Sequence, residues 1–248
     1  MITEDALLGG CVRLLQPRSG LRATTDTVFL AAACPVQNEA ARGGKSARIL
    51  DLGCGTGAAG LCVLARAPSI TLTGVDFQPD LIDLAGRNAA LNGFESRTSF
   101  VCCDIRAFET SERFDHVLCN PPYLEAGAHT RSPHTSKAAA CGPGEKTDAS
   151  LKDWIDAAFR LLHPHGTLTL IHRTEALDRI IQALGKRFGA LEIIPLWPRA
   201  GQAALRTLVR AHPNRRTGLI LHPGFVMHNP DGSYAIDADR ILKSPCAL

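Results

Sequence analysis

No run of this chain approaches the ~20 consecutive apolar residues that a membrane-spanning helix needs. Its first residues, Met-Ile-Thr-Glu-Asp, lack the basic start and apolar stretch of a secretory signal, so a cytoplasmic protein is expected. No Cys-x-x-Cys occurs among the nine cysteines, Cys11, Cys34, Cys54, Cys62, Cys102, Cys103, Cys119, Cys141 and Cys246. An odd, scattered set gives neither a disulfide framework nor the spacing of a zinc site. Several lie in apolar segments, where a free thiol packs as a small hydrophobe. No metal is expected, and no internal repeat is visible.

The net charge is small, +3 over 248 residues, but it is unevenly spread. Between Arg160 and Arg216 stand ten Lys/Arg against three Asp/Glu, a local excess of seven. Such an excess fits a phosphate backbone or a plain solvated surface. With 45% apolar and 21% charged residues, the composition is that of a globular protein with a real core, of a size for one sizeable α/β domain or one with a small appendage.

Apolar runs and turn residues alternate along the chain. Residues 1–25 are loosely patterned, and Thr24, Thr25 and Asp26 read as a helix cap for the apolar segment 28–33. Strands are expected at 48–52, 70–76, 99–103, 115–120, 167–171, 191–196 and 205–210. Helices are expected at 58–66, 79–92, 152–162 and 175–188, with Gly93 and Gly189 as terminators. Residues 37–46 read as a polar loop. The tail from His212 reads as a coda with short strands near 219–221 and 234–236. Strands alternating with helices argue a parallel, doubly wound sheet.

Two stretches carry chemistry. Asp51-Leu-Gly-Cys-Gly-Thr-Gly57 joins a strand to a helix. Its glycines permit a sharp turn and close approach of a ligand to the backbone, and the helix behind it presents free N–H groups. Asp76 ends the next strand, where a carboxylate can accept two ribose hydroxyls. Gly55 to Gly60 also spell G-x-G-x-x-G, a weakly specific dinucleotide motif. Asp51 beside the turn suits a cationic ligand better than a pyrophosphate. The second stretch is Asn120-Pro121-Pro122-Tyr123. The prolines cannot donate to a sheet and end the strand before them. Asn120 Oδ1 and the Pro121 carbonyl can accept the two hydrogens of an amino group, which localises its lone pair, while Tyr123 offers a flat stacking face. A base in a structured nucleic acid would have to be flipped or already unstacked to enter.

Taken in order, the glycine turn, Asp76, Cys103-Asp104-Ile105 and Asn-Pro-Pro-Tyr resemble the class I S-adenosylmethionine (SAM) methyltransferases that act on amino groups. The resemblance runs from about residue 24 to 210. It implies a mostly parallel, seven-stranded Rossmann-like α/β sheet with helices on both faces and short N- and C-terminal additions. It implies SAM as cofactor and S-adenosylhomocysteine as product. By it, Asp51, Gly53, Gly55 and Gly57 pack on the methionine and ribose parts, Asp76 holds the ribose hydroxyls, and Phe77 lies against adenine. Asp104, followed by Ile105, accepts from the adenine amino group. Thr25 and Asp26 touch the methionine end, and Asn120 sits where cofactor and substrate meet.

Families with this motif act on adenine N6, guanine N2 or a protein glutamine amide. The chain reaches its glycine turn by residue 53, without room for the helical domain of the glutamine enzymes or the duplicated domain of many guanine enzymes. It most resembles the stand-alone tRNA adenine-N6 methyltransferases that act on position 37 of a valine tRNA, a match that includes Gln16, Arg22 and Asn229-Pro-Asp-Gly-Ser-Tyr234. A tRNA partner is therefore expected. Protein glutamine or rRNA guanine methylation, and a SAM-binding protein without catalysis, are the alternatives. An insertion at 125–146, with His129, Arg131, His134 and Lys137, departs from the family pattern and reads as a substrate lid or a surface loop. The expected organisation is an N-terminal, cofactor-covering extension (1–46), a methyltransferase domain (47–211) and a C-terminal extension (212–248) packed on it.

Overall fold

In a computed structural model of the chain, residues 1–36, 46–123 and 149–248 are described. The expected loop over 37–46, apart from Ser46, and the insertion over 125–146, read as a lid or a surface loop, lie outside them.

The sheet is built from β3 (Ala47–Leu52), β4 (Ile70–Asp76), β5 (Thr98–Cys102), β6 (Phe114–Cys119), β7 (Leu162–Arg173), β8 (Phe188–Trp197) and β9 (Arg206–Pro213). Two-residue strands β10 (Ile220–Leu221) and β11 (Phe225–Val226) add to the free edge of β8. The spatial order is β10–β8–β9–β7–β6–β3–β4–β5. Every pair is parallel except those made by β9. The expected seven strands are thus present, and the two short ones bring the sheet to nine among the described residues. Chain order reverses between β3 and β6, so the crevice between their carboxyl ends is the topological switch point, where open α/β sheets bind ligands.

Strand side chains alternate between two cores, as a period of two requires. Ile49, Leu118, Ile171 and Leu208 pack with α1 (Thr25–Ala33) and α2 (Ala58–Arg66). Leu50, Val117, Leu168 and Val209 pack on the other face with α4 (Leu151–Leu161) and α5 (Leu177–Leu184). Helix α3 (Pro79–Leu91) carries proline in its first turn and ends before Gly93 at φ +70. Its buried Asn88 ties the backbones of Leu15 and Thr56 to one another. No described helix is long and apolar enough to cross a membrane.

Three expectations need correction. Residues 1–17 are not loose: β1 (Ile2–Leu7) and β2 (Val12–Pro17) form an antiparallel hairpin. Helix α5 stops at Leu184, because Gly185 leaves helical geometry at φ +54, and Gly189 lies inside β8. The tail holds helix α6 (Ile236–Lys243) where a short strand was expected, with Tyr234 making only an isolated bridge to His228. Ala238 and Ile241 of α6 are buried in the same core as Leu8 and Val12 of the hairpin region.

Candidate active site

The glycine turn leaves β3 at the switch point. Gly53, Gly55 and Gly57 all have positive φ, a conformation that side chains disfavour. At Gly53 the space is also taken: a Cβ would lie 2.3 Å from the Trp154 ring of α4. The turn is cross-tied to β4 through its own N–H groups. Those of Gly53 and Cys54 donate to the Val75 carbonyl at 2.8 and 3.0 Å, and that of Gly55 donates to Asp76 Oδ2 at 2.9 Å. Asp76 Oδ1 accepts from the Gln78 N–H at 3.0 Å.

Asp51 is 3% exposed. Its Oδ2 accepts from the Gly60 N–H in the first turn of α2 at 3.1 Å, where helix N–H groups have no partner of their own. Burial pushes its carboxyl up to about 7 against that hydrogen bond, and the nearby Asp76 adds to the rise. Burial also raises Asp76, opposed by the N–H groups of Gln78 and Gly55. Two half-compensated carboxylates flanking a bare backbone turn suit a ligand that carries positive charge and hydroxyl groups. Phe77, next to Asp76, is 55% exposed, a free aromatic surface at the mouth.

Asp104 stands after β5, with its carboxylate already engaged. Arg106 donates to Oδ1 from its backbone N–H at 2.8 Å and from Nε at 2.9 Å, which holds the carboxyl low. The Ile105 side chain is buried in the α4–α5 core, so only its backbone can face the crevice.

Asn120 directly follows β6. Pairing of Leu52 with Cys119 sets it beside the start of the glycine turn. Tyr123 is held by residues from far along the chain. Its hydroxyl donates to Asp26 Oδ2 at 2.6 Å, and the same oxygen accepts from Arg206 Nε at 2.8 Å. The Arg206 guanidinium also lies over the Tyr123 ring, 4.8 Å from its centre. Arg173 stands 5.7 Å from that centre, and the His172 ring meets it edge-on at 5.0 Å. Burial and the Asp26 carboxylate raise the Tyr123 phenol above its ordinary range, and burial lowers His172. Asp26 reaches this cluster from the first turn of α1, where Thr24 forms a capping box with Thr27 and Thr25 begins the helix, half-buried. The approach to α1 is fixed by Gln16 and Arg22, which both bind Asp5, while Gln16 Oε1 takes the Ala23 N–H.

The structure therefore brings Asp51, the three glycines, Asp76 and Asn120 to one crevice, and adds Asp26 to Tyr123. His172, Arg173 and Arg206 escape a reading of the sequence. Arg173 and Arg206 face each other across β7 and β9, but in sequence they are two among ten basic residues. Three of the ten are engaged locally. Arg187 pairs with Asp156, Arg210 with Glu192, and Arg160 donates to the carbonyls of Phe108 and Ile105.

A carboxylate-flanked glycine turn at the switch point, with β9 antiparallel in an otherwise parallel sheet, defines a class I SAM-dependent methyltransferase. The chain belongs to that group: the family described as a methyltransferase domain matches residues 44–194. It is similar to a tRNA1(Val) (adenine(37)-N6)-methyltransferase of Vibrio campbellii, 34% identical with 82% of each chain covered. Matches to other proteins of that name span from 61% to 89% of their length. It is also similar to a release factor glutamine methyltransferase of Salmonella typhimurium, 33% identical over 60% of this chain and 54% of that one. Among solved structures, an Agrobacterium tumefaciens protein described as a predicted O-methyltransferase superposes with a TM-score of 0.71 at 28% identity, covering 90% of this chain and 98% of its own. SAM is the methyl donor of the family, and the charge and bare backbone of the crevice fit it.

Proposed function

We propose that this protein transfers a methyl group from SAM to an exocyclic amino nitrogen, adenine N6 of a tRNA at a position-37-type site. The observation that carries the reading is the placement of Asn120 beside the glycine turn, with the Tyr123 ring locked next to it. When bound, SAM supplies a methyl group on a positively charged sulfur. In this reading Asp51 and the turn at Gly53, Gly55 and Gly57 receive its methionine and ribose parts, and Asp76 takes the ribose hydroxyls. Phe77 lies along the adenine, which the backbone around Asp104 and Ile105 edges, and Thr25 of α1 borders the methionine end.

Asn120 Oδ1 and the Pro121 carbonyl accept the two amino hydrogens of the target. That favours a tetrahedral nitrogen whose lone pair points at the methyl group. Pro121 and Pro122 end β6 and so keep this carbonyl out of the sheet. The Tyr123 ring stacks the base and fixes its plane. No strong base is needed before the bond forms, and the surplus proton leaves the nitrogen for water. Catalysis rests on orientation and on acceptors already in place. The described part of segment 1–46 and segment 212–248 serve as extensions packed on the 47–211 methyltransferase domain.

The tRNA reading draws support from relatives matched over most of their length, whereas the glutamine enzyme is matched over about half of its own. Purified protein with labelled SAM should methylate an unmodified tRNA transcript and leave a glutamine-bearing release-factor peptide unlabelled. The opposite pattern would replace adenine by the amide as substrate.

A further inference from the structure

The amino end of β8 carries a second built feature, away from the switch point. The β8–β9 pairing shifts register between Gly189 and Glu192, and Ala190 at this bulge has φ +49. Bulges and left-handed side-chain residues are retained where they shape a surface. The chain returning from β9 is pinned here. The Asn214 N–H donates to the Arg187 carbonyl at 2.8 Å, and the Ala190 N–H donates to the Thr217 carbonyl at 3.1 Å. A Cβ on Gly189 would lie 2.2 Å from the Arg215 carbonyl oxygen, so only glycine lets the 214–217 loop sit this close.

The result is a cleft of about 410 Å³. Phe188 and Leu191 form its apolar floor, and Lys186, Arg215 and Arg216 form its rim. Among the described residues no acidic side chain lines it. Arg187, within the same stretch, is by contrast neutralised by Asp156 at 2.5 Å. Lys186 of the turn before β8 and Arg215 and Arg216 of the returning loop are exposed cations on one cleft with no acidic lining among the described residues, and a polyanion relieves the repulsion between such charges.

We propose that this cleft binds the sugar–phosphate backbone of the RNA substrate at a point remote from the target base. The proposal rests on the tRNA reading above and deepens it. β8 runs parallel to β7, since both are antiparallel to β9. Phe188 therefore lies at the edge opposite Asn120: the register sets Asn120 level with Ile194 of β8, so the two are roughly 20 Å apart along the strands at about 3.3 Å per residue, and three strands apart across the sheet. A folded RNA spans that distance, whereas a single nucleotide in the crevice does not. The cleft thus serves affinity for the whole RNA and not the chemistry.

The test is binding of an unmodified tRNA transcript to the full chain across a salt titration, with Lys186, Arg215 and Arg216 changed together to Glu. The variant should bind tRNA at least tenfold more weakly. Its dependence of log Kd on log salt should be shallower by about 2, at roughly 0.7–0.9 for each phosphate that the variant no longer neutralises. SAM affinity and the rate at saturating tRNA should stay at wild-type values. The milder change of the same three residues to Gln should show a smaller loss of the same kind and guards against misfolding as the cause. Wild-type affinity and slope in the Glu variant, with wild-type tRNA methylation intact, would overturn the cleft assignment alone. A wild-type chain that neither binds nor methylates tRNA would overturn both it and the substrate reading. Unchanged tRNA binding, with a polyglutamate probe bound by the wild type and not by the variant, would assign the cleft to an acidic protein instead.

Discussion

The two sides of the switch-point crevice are built by different means. On the β3–β4 side, groups close in sequence hold one another: the turn after β3 gives its N–H groups to β4, and Asp51 reaches only to Gly60. Hydrogen bonds there are donated by backbone N–H groups to a carbonyl and to carboxylates, and the carboxylates are left eager for a cation. On the β6–β7–β9 side, Tyr123 is fixed by Asp26, 97 residues earlier, and Asp26 in turn by Arg206, 180 residues later. That side is held by side chains, and its charges are already paired. The first arrangement is suited to receive a charged ligand. The second is suited to hold an aromatic face still.

Damage on the two sides should therefore separate cleanly. The largest effect is expected from Asn120→Ala. Loss of one preset acceptor at the reacting nitrogen should lower the methyl-transfer rate by about 10²–10³, with SAM affinity by calorimetry unchanged. Equal loss of SAM binding would place Asn120 on the cofactor side instead. Next, Asp26→Asn and Tyr123→Phe should each slow transfer by roughly tenfold. The double variant should be little worse than either single one, because Tyr123→Phe removes and Asp26→Asn discharges the same hydrogen bond, worth about 1.5–3 kcal/mol when charge-assisted. Additive losses, with weaker SAM binding in Asp26→Asn alone, would return Asp26 to the methionine end of the cofactor.

The third effect is one of pH and belongs to the β3 side. The folded protein raises Asp51 to about 7, above the ordinary value near 4. A raised group stabilises most below its unfolded value, and that contribution is lost as pH rises through the folded one. Ligand-free protein should therefore lose stability between about pH 4 and 7, by an amount on the order of 4 kcal/mol from this group. Asp51→Asn should flatten that slope in denaturant titrations. SAM affinity of the wild type should climb over the upper part of the same window, because a cationic ligand favours the carboxylate. A pH-independent difference between wild type and Asp51→Asn would remove Asp51 from this role.

The same contrast explains what is legible in the chain. The glycine turn and Asp76 are local patterns, and the strand and helix limits around them follow from periodicity and from Pro79 and Gly93. The Asp26–Tyr123–Arg206 cluster has no local pattern, because it exists only once β7 and β9 are paired in register. The N-terminal hairpin is not legible because β1 buries none of its residues fully, so it shows no apolar face. Helix α6 buries only Ala238 and Ile241 in eight residues, too little for a helical stripe to stand out. Gly189 reads as a helix end because a glycine after a helical pattern usually is one. Its actual role, admitting the Arg215 backbone, depends on a segment that comes later in the chain.

The most direct measurement is nucleoside mass spectrometry of a tRNA transcript incubated with SAM and either wild-type protein or Asn120→Ala. The wild type should produce N6-methyladenosine, and the variant at most a trace. An unmodified adenine with wild-type protein, or methylation that survives the loss of Asn120, would contradict the assignment of this crevice to adenine N6 transfer.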